Sequence, residues 1–101
     1  NAWIHAVISI TIILTSFWLD LGRRDWAIII LTISVVWAAE FINTALEAVV
    51  DLASPEHHQL ARVGKDVGAA AVLIAAFSAV IIGLLILGPP LLNRITTYLS
   101  R

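Results

Sequence analysis

From Trp26 to about Leu52 this chain is almost wholly apolar, yet that run carries Glu40, Asn43, Glu47 and Asp51. At about 100° per residue these four fall within roughly an 80° arc, so they share one face of a helix. The stretch before them, residues 26–39, is too short alone to cross a bilayer, which takes about 20 apolar residues. The helix must therefore continue through Glu40, and the acidic stripe lies at or inside the membrane boundary. A carboxylate placed there is costly, and a metal, a proton or a substrate is its expected partner. The plainer reading is that the stripe glues helices together, as polar side chains do between membrane helices.

Composition agrees with a membrane setting. Hydrophobic residues make up 60% of the 101 and charged residues 13%, with a mean hydropathy of +0.98, whereas the apolar share of a soluble domain is about half. Such a chain is an integral membrane protein, and it is small enough that oligomerisation is expected. It has no cysteine, so disulfides and thiolate metal sites are excluded. The net charge of −1 gives no reason to expect nucleic acid as a partner.

The sequence predicts an all-α fold in a single domain, residues 1–101, with three spans at about residues 2–19, 26–52 and 67–87. Ser9, Thr11, Thr15 and Ser16 in the first span are expected to bond back to their own helix, and Trp18 suits an interfacial aromatic belt. Gly22 is the expected C-cap in the charged turn that follows. Ser54 is the expected N-cap of a new helix, with Pro55 at its first position and Glu56 in its first turn. Gly88, Pro89 and Pro90 are expected to close the third span, leaving residues 91–101 as an amphipathic tail with Arg94 and Arg101 near a membrane surface. Arg23 and Arg24 in one link balance Arg62 and Lys65 in the other, so charge does not choose the topology.

The second link returns to the membrane face where Glu47 and Asp51 emerge. It brings Glu56, His57, His58, Arg62, Lys65 and Asp66. Carboxylates beside cationic side chains suit a magnesium polyphosphate, since hard cations take oxygen ligands and ammonium or guanidinium groups pair with phosphate. Zinc held by His57, His58 and a glutamate is the competing reading, made awkward by adjacent helical side chains pointing about 100° apart. A solvated loop surface is the plainer account of the two histidines. No phosphate-binding P-loop and no kinase-type glycine loop is present.

The pattern Glu40-x-x-Asn43-x-Ala45-x-Glu47-x-Val-Val-Asp51, then Glu56-x-His58, Lys65-Asp66 and Ala-Ala-Val-Leu at residues 70–73, resembles the prokaryotic diacylglycerol kinase and undecaprenol kinase family. Asn1, Ile4 and His5 resemble the opening of its undecaprenol kinase branch, with Trp3 standing where the family usually has arginine. The resemblance implies a homotrimer of three-span subunits in the bacterial inner membrane, using magnesium ATP on the cytoplasmic side to phosphorylate a lipid alcohol. It implies that Glu40 is the general base and that Glu47 binds magnesium. On the same resemblance Asn43 supports this site and Glu56, His58, Lys65 and Asp66 match nucleotide-contacting positions. Glu47 and His57 are expected to bind nucleotide with them, and Asp51, Asn1 and His5 are expected to be supporting or substrate-side residues. It also implies a surface helix before the first span with a second metal-binding glutamate, and this chain is expected to be a fragment lacking it. Undecaprenol is the expected substrate and diacylglycerol the alternative. From other classes, a proton or cation pathway subunit and a non-catalytic assembly subunit remain open. The latter would associate through Gly64, Gly68 and Ala69 to Ala71.

Overall fold

The computed structural model describes residues 2–101, and every regular element among them is a helix. These are α1 (Ala2–Trp18), α2 (Arg23–Ala53) and α3 (Gln59–Leu99). They form a rod of 64 × 22 × 17 Å. The 41 residues of α3 set its length, at about 1.5 Å each. α2 packs along α3, whereas α1 touches α2 only lightly.

α2 and α3 are each long and apolar enough to cross a membrane. α1, at 17 residues, measures about 26 Å against a hydrocarbon core of about 30 Å. The only buried hydrophobic side chains among the described residues are Leu19 and Ile29. Leu31, Leu73, Phe77 and Leu84 are all exposed, as are most others of their kind. A surface of this sort is stable in acyl chains or against other protein, not in water.

The helix ends differ from the sequence expectations in three places. α1 closes on Asp20 rather than Gly22. Asp20 has φ 52°, and its amide donates to Phe17 O at 3.1 Å while the Leu21 amide donates to Ser16 O at 3.3 Å. That is a Schellman closure, with an aspartate taking the left-handed position more often given to glycine. Gly22 instead caps α2 in extended conformation, and its carbonyl accepts from the Trp26 amide at 3.0 Å. α2 therefore begins at Arg23, three residues before Trp26.

The second difference is the start of α3. Ser54 ends α2, its amide donating to Val50 O at 2.8 Å, and its hydroxyl donates to Glu56 O. With that oxygen turned away, the capping passes to His58, whose Nδ1 accepts from the Leu60 amide at 3.0 Å. Pro55 and Glu56 lie in a non-helical link.

Thirdly, Gly88, Pro89 and Pro90 do not end the last helix, which runs on to Leu99. Two prolines remove two amide donors, yet unwinding in an apolar medium would strand many more backbone groups. The extension is also anchored. Arg94 Nη2 lies 3.3 Å from Asp20 Oδ2, and its guanidinium stacks 5.3 Å from the centre of the Trp18 ring. The tail expected to float on the membrane surface is thus tied to the α1–α2 turn.

Thr11, Thr15 and Ser16 donate to carbonyls one turn back, as expected for hydroxyls in an apolar helix. Ser9 does otherwise: its oxygen accepts from Trp37 Nε1 at 3.0 Å. That bond joins α1 to α2 at the depth of the acidic stripe.

Candidate active site

The innermost part of the site is built by α1 and α2 together. His5 Nε2 stands 3.4 Å from Glu40 Oε2, with the two side chains only 22% and 19% exposed. The Trp37 ring lies 6.1 Å from the His5 ring and 5.5 Å from that of Phe41. One helical turn sets this arrangement. Trp37, Glu40 and Phe41 sit at i, i+3 and i+4 on α2, facing His5 and Ser9 at i and i+4 on α1. The Glu40 carboxylate is thus half-buried beside an imidazole in an otherwise apolar run, where an ionised group is costly.

One to two turns further out, Asn43 Nδ2 donates to Glu47 Oε1 at 3.5 Å. Across the helix interface, Asn43 lies against Gly68, the buried residue of α3. The sequence offered Gly68 as a contact between subunits; here it serves the packing of α2 on α3 within one chain.

The outermost part faces water. Lys65 Nζ is 2.5 Å from Asp51 Oδ1, and both side chains are well exposed, at 44% and 64%. The hydrogen bond that Lys65 donates to Asp51, then the charge of Asp51, and lastly the charge of Glu47 hold the Lys65 ammonium above the usual lysine value. Lys65 precedes the apolar span and, like an ordinary lysine, is charged at neutral pH. Its stabilising contribution is complete below the ordinary lysine value and is lost as pH rises through the raised one. Exposure makes the pair weak. Together with Glu56, His57, His58, Arg62 and Asp66 the pair lines a hollow of about 360 Å³.

The structure thus brings Asp51, Glu56, His57, His58, Lys65 and Asp66 to one place, and His5 and Glu40 to another. Glu40 and Asp51 are about 16 Å apart along the helix, with Asn43 and Glu47 between them. Asn1 lies outside the described residues. Among those described, no three histidine, aspartate or glutamate side chains converge to hold a metal ion. Zinc requires three or four protein ligands, whereas magnesium takes one or two carboxylates plus phosphate oxygens. The donors present therefore fit magnesium carried by a polyphosphate.

Sequence reasoning missed the Ser9–Trp37 link and the Gly68 seat. The first left a signal: His5 and Ser9 are one turn apart on α1, as Trp37 and Phe41 are on α2, so both pairs mark the faces that meet. The second left none without the helix crossing.

These features define a class: a helical membrane protein with a carboxylate stripe running from inside an apolar span to a hollow at its edge lined by both carboxylates and cations. The family model described as prokaryotic diacylglycerol kinase matches residues 1–87. Among relatives, the undecaprenol kinase of Bacillus subtilis (strain 168) is 40% identical over 91 residues, covering 90% of this chain and 74% of that protein. The diacylglycerol kinase of a Synechocystis species is 43% identical over 94 residues, 92% of this chain and 54% of its own length. That of Escherichia coli (strain K12) is 44% identical over 64 residues, 63% of this chain and 52% of its own. The chain therefore spans about half the length of the two diacylglycerol kinases. It belongs to the prokaryotic diacylglycerol kinase family, a family of membrane lipid kinases.

Proposed function

We propose that this chain transfers the γ-phosphoryl group of ATP to the hydroxyl of a membrane lipid alcohol, with undecaprenol as the preferred acceptor and diacylglycerol as the alternative. The observation that carries this reading is the vertical order of the stripe. A shielded Glu40–His5 pair lies within the apolar span, and an exposed Asp51–Lys65 cluster lies at its watery end. A lipid alcohol reaches a site from the membrane and a nucleotide reaches it from water, so an enzyme joining them needs this gradient along one helix face.

In this reading Glu40 accepts the proton of the lipid hydroxyl as its oxygen bonds to the γ-phosphorus, and ADP leaves as the β–γ bridge breaks. Lys65 pairs with phosphate oxygens, alongside Arg62, with Glu56, His57, His58 and Asp66 around the nucleotide. Glu47, supported by Asn43 and with Asp51 nearby, would hold magnesium, which would supply neutralisation of phosphate charge when bound. Such reactions depend on positioning and charge far more than on covalent chemistry. The ATP-binding end faces the cytoplasm of a bacterium, across its inner membrane, because that is where ATP is.

Preference for undecaprenol rests on the sequence opening Asn1, Ile4 and His5, and the contact of His5 with Glu40 supports a role for that position in accepting the lipid. A thin-layer assay with radiolabelled ATP and both lipids in the same micelles tests the reading. We expect phosphorylation of undecaprenol with the higher kcat/KM. A preference for diacylglycerol reverses the substrate, and transfer to neither removes the kinase reading.

We further propose three spans per subunit in a single domain and a homotrimer. α1 reaches most of the way across the hydrocarbon, and the exposed carboxylates of Glu47 and Asp51 need protein or water rather than acyl chains beside them. Three helices alone do not enclose both a nucleotide and a lipid. Cross-linking in mild detergent is expected to reach trimer, and a ladder that stops at monomer or dimer refutes this.

A further inference from the structure

Among the described residues, Asn43 Oδ1 is the buried polar side-chain atom that has no hydrogen-bond partner. Which end of the amide this is follows from the neighbour. Glu47 Oε1 accepts from Asn43 Nδ2 at 3.5 Å, and a reversed amide would set its oxygen against a carboxylate. Oδ1 must then turn toward α3, where it meets the backbone at Gly68. A Cβ added at Gly68 would collide with this oxygen. One at Gly64, a turn earlier on the same helix, would meet Val50 Cγ2 at an ordinary 3.7 Å, and one at Gly83 would meet nothing within 4 Å. The requirement for glycine is therefore local to one position, and it coincides with the one buried side-chain oxygen left without a donor among the described residues.

We infer that Gly68 is a positioning residue of the nucleotide site, acting through Asn43 on Glu47. Its missing side chain makes the notch in α3 that receives the Asn43 oxygen. The notch fixes the direction of the amide, and the amide presents its donor to Glu47. Glu47 is otherwise an exposed, flexible carboxylate, and an ordered one binds a metal–phosphate group with less to lose. The inference rests on the reading of Glu47 as the magnesium-binding side chain, and it also makes a structural claim that stands apart from catalysis.

That separation shapes the experiment. Residues 1–101 contain just four side-chain amides, those of Asn1, Asn43, Gln59 and Asn93. In ¹⁵N-labelled protein in detergent, the Asn43 amide signals are those lost in Asn43→Ala, and they can then be followed. We expect Gly68→Ala to move its signals toward those of a solvated amide, while Gly64→Ala leaves them in place. In the kinase assay Gly68→Ala is expected to raise the KM for magnesium ATP by about 10- to 100-fold, the usual cost of losing a group that orients a metal ligand. Its kcat at saturation should change little, because Glu40 is untouched. Asn43→Ala combined with Gly68→Ala removes the collision and should restore the thermal midpoint lost in Gly68→Ala, but not the KM.

A Gly68→Ala protein with the parent's Asn43 signals and KM overturns the inference. So does a double variant that regains the parent's KM, since the glycine would then serve packing alone. Absence of kinase activity in the parent would instead refute the proposed function, and the amide spectra alone would still decide whether Gly68 seats Asn43.

Discussion

Glu40→Gln in the full-length protein is expected to lower turnover at saturating substrates by about 100- to 10,000-fold, the usual cost of removing a general base, while magnesium ATP binds as before. Glutamine keeps the size of the side chain and an oxygen that can accept from His5 Nε2, so the pairing of α1 with α2 near Ser9 and Trp37 should survive. What it lacks is a group that takes up a proton. Glu40 also lies two helical turns, about 10 Å, from Glu47, too far to share a metal ion with it. The variant should therefore fail in kcat, with no response to added magnesium or ATP. Equilibrium binding of magnesium ATP, measured beside single-turnover transfer, separates the two effects. Near-parental turnover of lipid by Glu40→Gln removes the base from the reaction and returns the stripe to helix glue or an ion path.

Much of this site is legible in the sequence because its residues obey one period. Glu40, Asn43, Glu47 and Asp51 fall on one helix face by spacing alone, and a span too short without Glu40 forces the stripe into the membrane. The return of the chain after Leu52 puts Lys65 and Asp51 at the same end, and the structure pairs them directly. Less legible are contacts set by how helices cross. Nothing in the spacing of α3 says that Gly68, and not Gly64, faces Asn43, because both glycines lie on one side of the helix a turn apart. The tertiary contact chooses between them.

Helix ends are less legible, for a common reason: local residue preferences lose to specific hydrogen bonds. Asp20 takes the left-handed position for which Gly22 is better suited, since the Ser16 and Phe17 carbonyls fall in register with it. Ser54 is a good capping residue whose hydroxyl is already engaged with Glu56 O, so His58 caps α3. Pro89 and Pro90 stop helices in water, but a helix in lipid has nowhere to unwind, and Arg94 fastens the following turns to Asp20 and Trp18. In each case the chain holds several residues able to do the job, and geometry decides which of them does it.

Glu47→Gln should fail differently from Glu40→Gln, and the contrast is the most direct test of the division of labour along the stripe. The substitution retains an acceptor for Asn43 Nδ2, so the α2–α3 interface at Gly68 should stay packed and the thermal midpoint near the parent's. It removes one formal negative charge from a site with few carboxylates, and magnesium affinity depends strongly on that charge. Magnesium ATP binding is expected to weaken by about 10- to 100-fold or more, the range found when groups supporting a metal are lost. Raising magnesium or ATP should recover much of the rate, because the base at Glu40 remains in place. Glu47 also contributes, after Asp51, to holding the Lys65 ammonium above the usual lysine value. Its neutralisation should therefore lower the Lys65 pKa toward that value while leaving the larger effect of Asp51, with Lys65 still charged at neutral pH. Loss of rate in Glu47→Gln is then a loss of metal and nucleotide, not of the cation that meets the phosphates. A Glu47→Gln protein whose rate does not respond to magnesium at any concentration, with magnesium ATP binding at parental strength, would place the metal elsewhere on the stripe, with Asp51 as the carboxylate to test next.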